Sequence, residues 1–177
     1  VFVRRQLRAK TPLLNLRPLR HIRFATGLVL VMVGMMVSYA FSLLLPLYFE
    51  GALGATAFIA GLLLLAPVLV NAVFSFLGGR LYDKHGIWPL VPAGFVLVLV
   101  GQAALYGSAE ARIVVLVVAV TALAYAGLGL VVSPSKTTAL SQLPADLYAH
   151  GAAINSTFTQ IASAVGSALF VGVLSSD

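Results

Sequence analysis

Along the 177-residue chain, hydrophobic side chains run together in five stretches, at approximately 25–49, 57–78, 88–107, 113–135 and 152–174, and none of the five holds an Asp, Glu, Lys or Arg in its interior. A hydrocarbon core of about 30 Å needs about 20 helical residues rising 1.5 Å each, so each stretch is long enough to cross a bilayer. Strands of a membrane barrel would alternate polar and apolar residues, whereas 62–70 and 113–120 are apolar on every side. The first stretch far exceeds the apolar region of a signal peptide and has no small-residue cleavage site after it. The pattern predicts an all-α, polytopic membrane protein: five transmembrane helices in a membrane domain of residues 25–177, preceded by a basic segment, 1–24.

Within these stretches the polar and small residues recur at steps of four. The first carries Gly34, Ser38, Ser42 and Pro46, with Tyr39 beside them and Glu50 one turn further on. The second has Pro67, Asn71, Ser75 and Gly79; the fourth Thr121, Tyr125, Gly129 and Ser133; the fifth Asn155, Thr159, Ser163 and Ser167. A step of four drifts by about 40° on a 3.6-residue helix, so each series curls round its helix as a seam. Small and hydroxyl-bearing residues in a membrane mark helix–helix contact or water, which leaves two readings: packing, or the lining of a polar path. On the second reading the candidate cavity residues are Ser38, Tyr39, Ser42, Asn71, Thr121, Tyr125, Asn155 and Thr159, with Tyr39 and Tyr125 foremost. The third stretch offers only Gly94, Gly101 and Gln102 against Val and Leu, and is expected outermost, facing lipid on most sides.

Charge sets the expected orientation. Eleven Lys and Arg against five Asp and Glu give +6, but seven of the eleven (Arg4, Arg5, Arg8, Lys10, Arg17, Arg20, Arg23) precede residue 24 with no acid among them. Such clustering reads as membrane-flanking charge, not as a nucleic-acid surface. Assigning the connections alternately puts ten basic residues on one side and Arg112 alone on the other, so the N-terminus is expected in the cytoplasm and the end of this segment outside. Residues 13–24 alternate Leu, Ile and Phe with Arg17, Arg20 and Arg23. That suits a short amphipathic helix on the inner leaflet or, because of Pro12 and Pro18, a flexible basic linker. The chain begins at Val1, which suggests a piece of a longer protein.

Chemistry is sparse. With no Cys, and with His21, His85 and His150 scattered, neither a metal site nor a bound cofactor is expected. No phosphate-binding loop, zinc-protease or nucleophile-elbow motif occurs, so no enzyme is expected. No ionisable side chain lies at mid-membrane, where a coupling site would need one. Any coupling carboxylate is then expected outside this segment, with Glu50, at the outer end of the first seam, the candidate proton acceptor; Glu110 reads as a solvated loop charge.

One connection stands apart: Gly79-Arg80-Leu81-Tyr82-Asp83-Lys84-His85-Gly86, read as a short loop in a tight antiparallel hairpin. Gly79 would let helix ends approach, Gly86 permits a positive φ, and Asp83 can favour a helix N-terminus or pair with an Arg, latching two helix ends. A plain positively charged turn is the alternative. The spacing of Gly79, Asp83, Lys84 and Gly86 resembles the signature loop of the major facilitator superfamily, although Ile87 and Trp88 stand where further basic residues usually follow. Pro12-Leu13-Leu14-Asn15-Leu16-Arg17, Pro46-Leu47-Tyr48-Phe49, Gly61-Leu62-Leu63-Leu64-Leu65-Ala66-Pro67 and Gly151-Ala152-Ala153 resemble the fourteen-helix drug:proton antiporter branch.

That resemblance implies the first five helices of a six-helix C-terminal bundle, with the N-terminal bundle and one final helix absent, and cavity-lining roles for the first and fourth helices. It implies a cell-membrane transporter that exports small hydrophobic or amphipathic compounds in exchange for protons by alternating access. A cavity of Tyr39, Ser42, Thr121, Tyr125 and Asn155 without fixed charge would suit such cargo. The expected partners are the lipid bilayer, the absent helices, the cargo and protons. The rival readings are an uptake carrier for a small polar solute, which would more naturally show a buried charge, and a membrane subunit of a larger complex.

Overall fold

The computed structural model describes residues 15–109 and 113–174. The first fourteen residues with their four basic side chains, Glu110, Arg112 and the tail 175–177 lie outside the described residues. A 3₁₀ turn at Arg17–Arg20 leads into five helices: α1 (Ile22–Gly51), α2 (Ala57–His85), α3 (Leu90–Ala109), α4 (Val114–Ser141) and α5 (Ala145–Leu174). Helices α1 to α4 have the length and apolar content of membrane spans. The 30-residue α5 is long enough to cross, and it carries the most amide and hydroxyl groups along one side, from Asn155 to Ser167. The all-α architecture expected from the hydrophobic pattern is present.

The helices are longer than the apolar runs, mostly at one end. Helix α2 continues from residue 78 to His85, α4 from 135 to Ser141, and α5 starts seven residues before 152. Hydrophobicity records the thickness of the hydrocarbon slab, whereas a helix stops where its backbone is made to stop. After Gly79 nothing breaks α2 until Gly86, whose φ of 74° and ψ of −173° form a conformation open essentially to glycine alone. The Gly86 N–H closes the last turn on the Tyr82 carbonyl at 2.8 Å. The segment read as a loop is therefore helical through residue 85, and the reversal is confined to residues 86–89. At the other end Gly54, with φ 66°, and the Thr56 cap, whose Oγ1 accepts from the Ile59 N–H at 3.4 Å, turn α1 into α2.

Helix α4 is the hub. It packs along α2, α3 and α1, while α5 packs mainly on α1. More than half of α4's apolar window, 56%, is buried, against 11–28% for the other three spans. Glycine sets these close approaches. A methyl group added at Gly129 would lie 2.8 Å from the Asn71 carbonyl oxygen of α2, and one at Gly101 would lie 2.8 Å from the Ala124 backbone nitrogen. At Gly166 the same addition would meet the Met36 carbonyl oxygen of α1 at 2.5 Å. Backbones this near gain dispersion contact that lipid tails cannot offer, which is how helices associate where no water drives them together. Helix α3 has essentially one neighbour, α4, and lies at the rim, but it is not the outermost as expected: α2, despite its polar seam, has 11% of its apolar window buried against 22% for α3.

Two apolar clusters hold the ends. One joins Phe41, Leu45 and Phe49 of α1 to Val117, Ala124 and Leu128 of α4. The other gathers Phe24 and Leu28 with Ala139, Leu143, Leu147 and Ile154, and Leu16 and Leu19 pack on it. The described part of the basic segment is thus docked on the α4–α5 corner rather than spread as a helix on a leaflet: Pro18 is buried, the Asn15 N–H donates to His150 Nδ1 at 3.3 Å, and Arg23 donates to Gln142 Oε1 at 3.1 Å.

Candidate functional site

A cleft of about 280 Å³ opens between α1, the end of α4 and the first half of α5. Its lining is ordered by helical periodicity. Met35 and Tyr39 come from α1, Lys136 and Leu140 from α4, and Asn155 with Thr159 and Ser156 with Gln160 from α5, beside Ala152. Each pair is four residues apart, the spacing that stacks two side chains on one helix face.

The polar atoms of this wall are partly spoken for. The Thr159 hydroxyl donates to the Asn155 carbonyl at 2.6 Å and the Ser163 hydroxyl to the Thr159 carbonyl at 2.8 Å, so the donors are used within the helix while oxygen lone pairs remain. Asn155 is 3% exposed, yet its side-chain Oδ1 has no hydrogen-bond partner among the described residues. Tyr39 is 43% exposed beside it. Lys136 is exposed and has no ion pair among the described residues.

Of the eight cavity residues expected from the sequence, the cleft brings together Tyr39, Asn155 and Thr159. The other five are placed elsewhere. Ser38 returns its hydroxyl to the Gly34 carbonyl at 2.9 Å, and Ser42 is exposed. Asn71 donates Nδ2 to the Tyr125 carbonyl at 2.8 Å, tying α2 to α4. The Tyr125 ring rests against Phe41 with centroids 5.8 Å apart, and Thr121 is 1% exposed in the same core, its Oγ1 unpartnered among the described residues. Two of the fourth-helix seam residues therefore serve packing in this structure.

Lys136 brings a charge to the cleft. It stands one residue past the apolar run that ends at 135, but no glycine interrupts 136–143 and α4 continues to Ser141, with the Thr137 and Thr138 hydroxyls donating to the carbonyls of Ser133 and Pro134. Met35, Ser156 and Gln160 were also missed; Ser156 and Gln160 are the four-residue pair lying one position beyond Asn155 and Thr159.

The Gly79–Gly86 motif sits at the end of the molecule that bears Arg17–Arg20 and Gln142. A methyl group at Gly79 would meet nothing within 4 Å, and it is Gly78 that contacts α4, at 3.4 Å from the Gly129 carbonyl oxygen. Asp83 lies in the last turn of α2, not at a helix N-terminus, and is exposed without an ion pair among the described residues. Arg80 holds its guanidinium 4.4 Å from the centroid of the Phe76 ring, a cation–π contact. Lys84 is exposed near the C-terminus of α2, where a cation is favoured by the helix dipole. Glu50 is exposed in the last turn of α1, at the opposite end of that helix from Arg23. Among the described residues no three His, Asp or Glu side chains converge as metal ligands would.

Long apolar helices joined by short turns, glycine-mediated crossings and a polar cleft between helices define a class: a multi-pass helical membrane protein, in contact with the lipid bilayer. Residues 3–167 match the Major Facilitator Superfamily, and the chain belongs to that family. It is 34% identical over 175 residues to the lincomycin resistance protein LmrB of Listeria monocytogenes, covering 99% of this chain and 37% of that protein. It is 36% identical over 174 residues to LmrB of Bacillus subtilis, covering 98% and 36%. The multidrug resistance protein Stp of Mycobacterium tuberculosis is 26% identical over 174 residues, covering 98% and 32%. The chain thus spans about a third of the length of these curated relatives. No solved structure matches it.

Proposed function

We propose that α1–α5 belong to the C-terminal helix bundle of a drug exporter that works by alternating access, carrying hydrophobic or amphipathic compounds out of the cytoplasm in exchange for protons. The observation that carries this reading is the likeness, over nearly the whole chain, to proteins named for lincomycin resistance. The cleft supports it: Met35, Leu140 and Ala152 offer apolar contact, and Tyr39, Asn155, Ser156, Thr159 and Gln160 offer a few hydrogen bonds, the mixture expected of a small-molecule site. The remaining helices, including an N-terminal bundle and a final helix after α5, complete the cavity, and Ser38, Ser42, Asn71, Thr121 and Tyr125 take part as the bundles rock. The end of the bundle that carries basic residues at 17–23 and 80–84 faces the cytoplasm and the end bearing Glu50 faces outside, a reading supported by the preference of Lys and Arg for the inner side. Asp83 latches the two bundles in one conformation, and Glu50 is a proton acceptor at the outer end.

Lys136 gives a second reading some footing, a carrier for a polar anionic solute, since a cation in the cleft is what such cargo would need. The apolar share of the lining favours amphipathic cargo. The test is lincomycin resistance conferred by the complete protein in a bacterial strain stripped of its own efflux pumps. A several-fold rise in the inhibitory concentration, abolished by collapsing the proton gradient, is expected; unchanged susceptibility to lincomycin and to a panel of lipophilic drugs would refute the export reading.

A further inference from the structure

We infer that the α1–α4–α5 cleft selects amphipathic compounds bearing an anionic group, and that Lys136 is the residue that reads the charge. The inference rests on the export reading above and goes further in naming the chemical class of cargo. Helix α4 has 28 residues, about 42 Å at 1.5 Å per residue, against a hydrocarbon thickness of about 30 Å. Lys136 lies about 7.5 Å from the end of α4 at Ser141, at the level where hydrocarbon gives way to headgroups. The cleft runs from there toward the membrane interior, about 12 Å along α5 from Ala152 to Gln160, with Met35 and Tyr39 on the facing wall. An amphipath lying in the leaflet has its anionic group at the depth of the ammonium and its apolar body at the depth of the cleft, so it meets the site in register.

The electrostatics point the same way. Lys136 is a point charge without an ion pair among the described residues. At the edge of a low-dielectric slab its attraction for an anion is several-fold stronger than in water. Arg17, Arg20 and Arg23 lie at the same end of the bundle, and Arg23 is bonded to Gln142, one residue past α4. Their field is positive and gathers anions. The acids of this chain among the described residues, Glu50, Asp83 and Asp146, line no part of the cleft, so Lys136 is its one formal charge among those residues. Ser156 and Gln160, exposed on the same wall, add polar contacts beyond the charge.

The test compares export of deoxycholate, an anionic amphipath with hydroxyl groups, and ethidium, a cationic one, from cells or vesicles holding the complete protein. Variants K136R, K136Q and K136E are normalised to the amount of protein in the membrane. Deoxycholate export is expected to fall about tenfold in K136Q and further in K136E, to be kept in K136R, and ethidium export to stay within about twofold. Equal losses for both compounds, as a purely structural lysine or one paired with an acid from the rest of the protein would give, overturn the inference, as does unchanged deoxycholate export in K136E. A wild-type protein that exports ethidium but not deoxycholate sinks the inference alone; one that exports neither these nor any lipophilic drug sinks the export reading with it.

Discussion

Asn71 and Tyr125 show what a polar side chain in a membrane helix can mean. Both stand in four-residue seams, and from sequence each is as well suited to a water path as to a helix contact; the structure joins them through the Asn71 amide and the Tyr125 carbonyl, across α2 and α4. The choice depends on which backbone lies opposite, and a single chain without its neighbours does not record that. Asn155 and Thr159 have the same spacing and face a cleft instead. Glycine divides in the same way. A methyl group added at Gly129 would come within 2.8 Å of the α2 backbone, whereas one at Gly79, four residues from Ser75 in the same kind of series, would meet open space. Gly129→Val should therefore overpack the α2–α4 crossing and cost about 1–3 kcal/mol, lowering the thermal midpoint of the detergent-solubilised complete protein. Gly79→Ala should leave that midpoint unchanged. Equal midpoints for the two variants would mean that α4 does not approach α2 at Gly129.

At the scale of elements, the existence and order of the helices were legible because 20 uncharged residues have few other uses, but the count of polar residues did not rank burial: α2, with its seam, is less buried than α3. Helix ends were not. The apolar run of α4 stops at residue 135, but no glycine or proline follows before Pro144 and the helix continues to Ser141, and that extension carries Lys136 into the cleft. The stop of α2 was legible in part: Gly86 does adopt a positive φ, while the seven residues before it are helix rather than loop. Gly86→Ala forces a side chain into a conformation that costs about 1–3 kcal/mol, with the damage confined to the α2–α3 turn. Hydrogen exchange on the complete protein should show faster amide exchange in residues 82–90 and unchanged protection in α4; exchange unaltered around residue 86 would show that the turn does not need the glycine.

For the whole molecule, packing is lopsided in a way that hydropathy alone does not express. Helix α4 is enclosed by α1, α2 and α3, and α5 closes against α1, which leaves the cleft between α1, α4 and α5 and leaves α2 exposing Phe58, Leu62, Leu65 and Phe76 to lipid or to other helices. The family was legible from the spacing of Gly79, Asp83, Lys84 and Gly86. The grouping of Tyr39, Lys136, Asn155 and Gln160 was not, since it depends on how three helices separated by up to 121 residues are set against one another. The central claim is that this cleft is where cargo meets the bundle. Because the chain has no cysteine, a thiol placed in it is unique within this segment. The most direct measurement is the labelling rate of Gln160→Cys in the complete, membrane-embedded protein by a polar thiol reagent, with and without submicellar deoxycholate, using Ala145→Cys at the exposed start of α5 as control. Labelling at 160 that slows on adding deoxycholate, with position 145 unaffected, is the predicted result; a position 160 that does not react, or reacts at the same rate with deoxycholate present, would contradict the account.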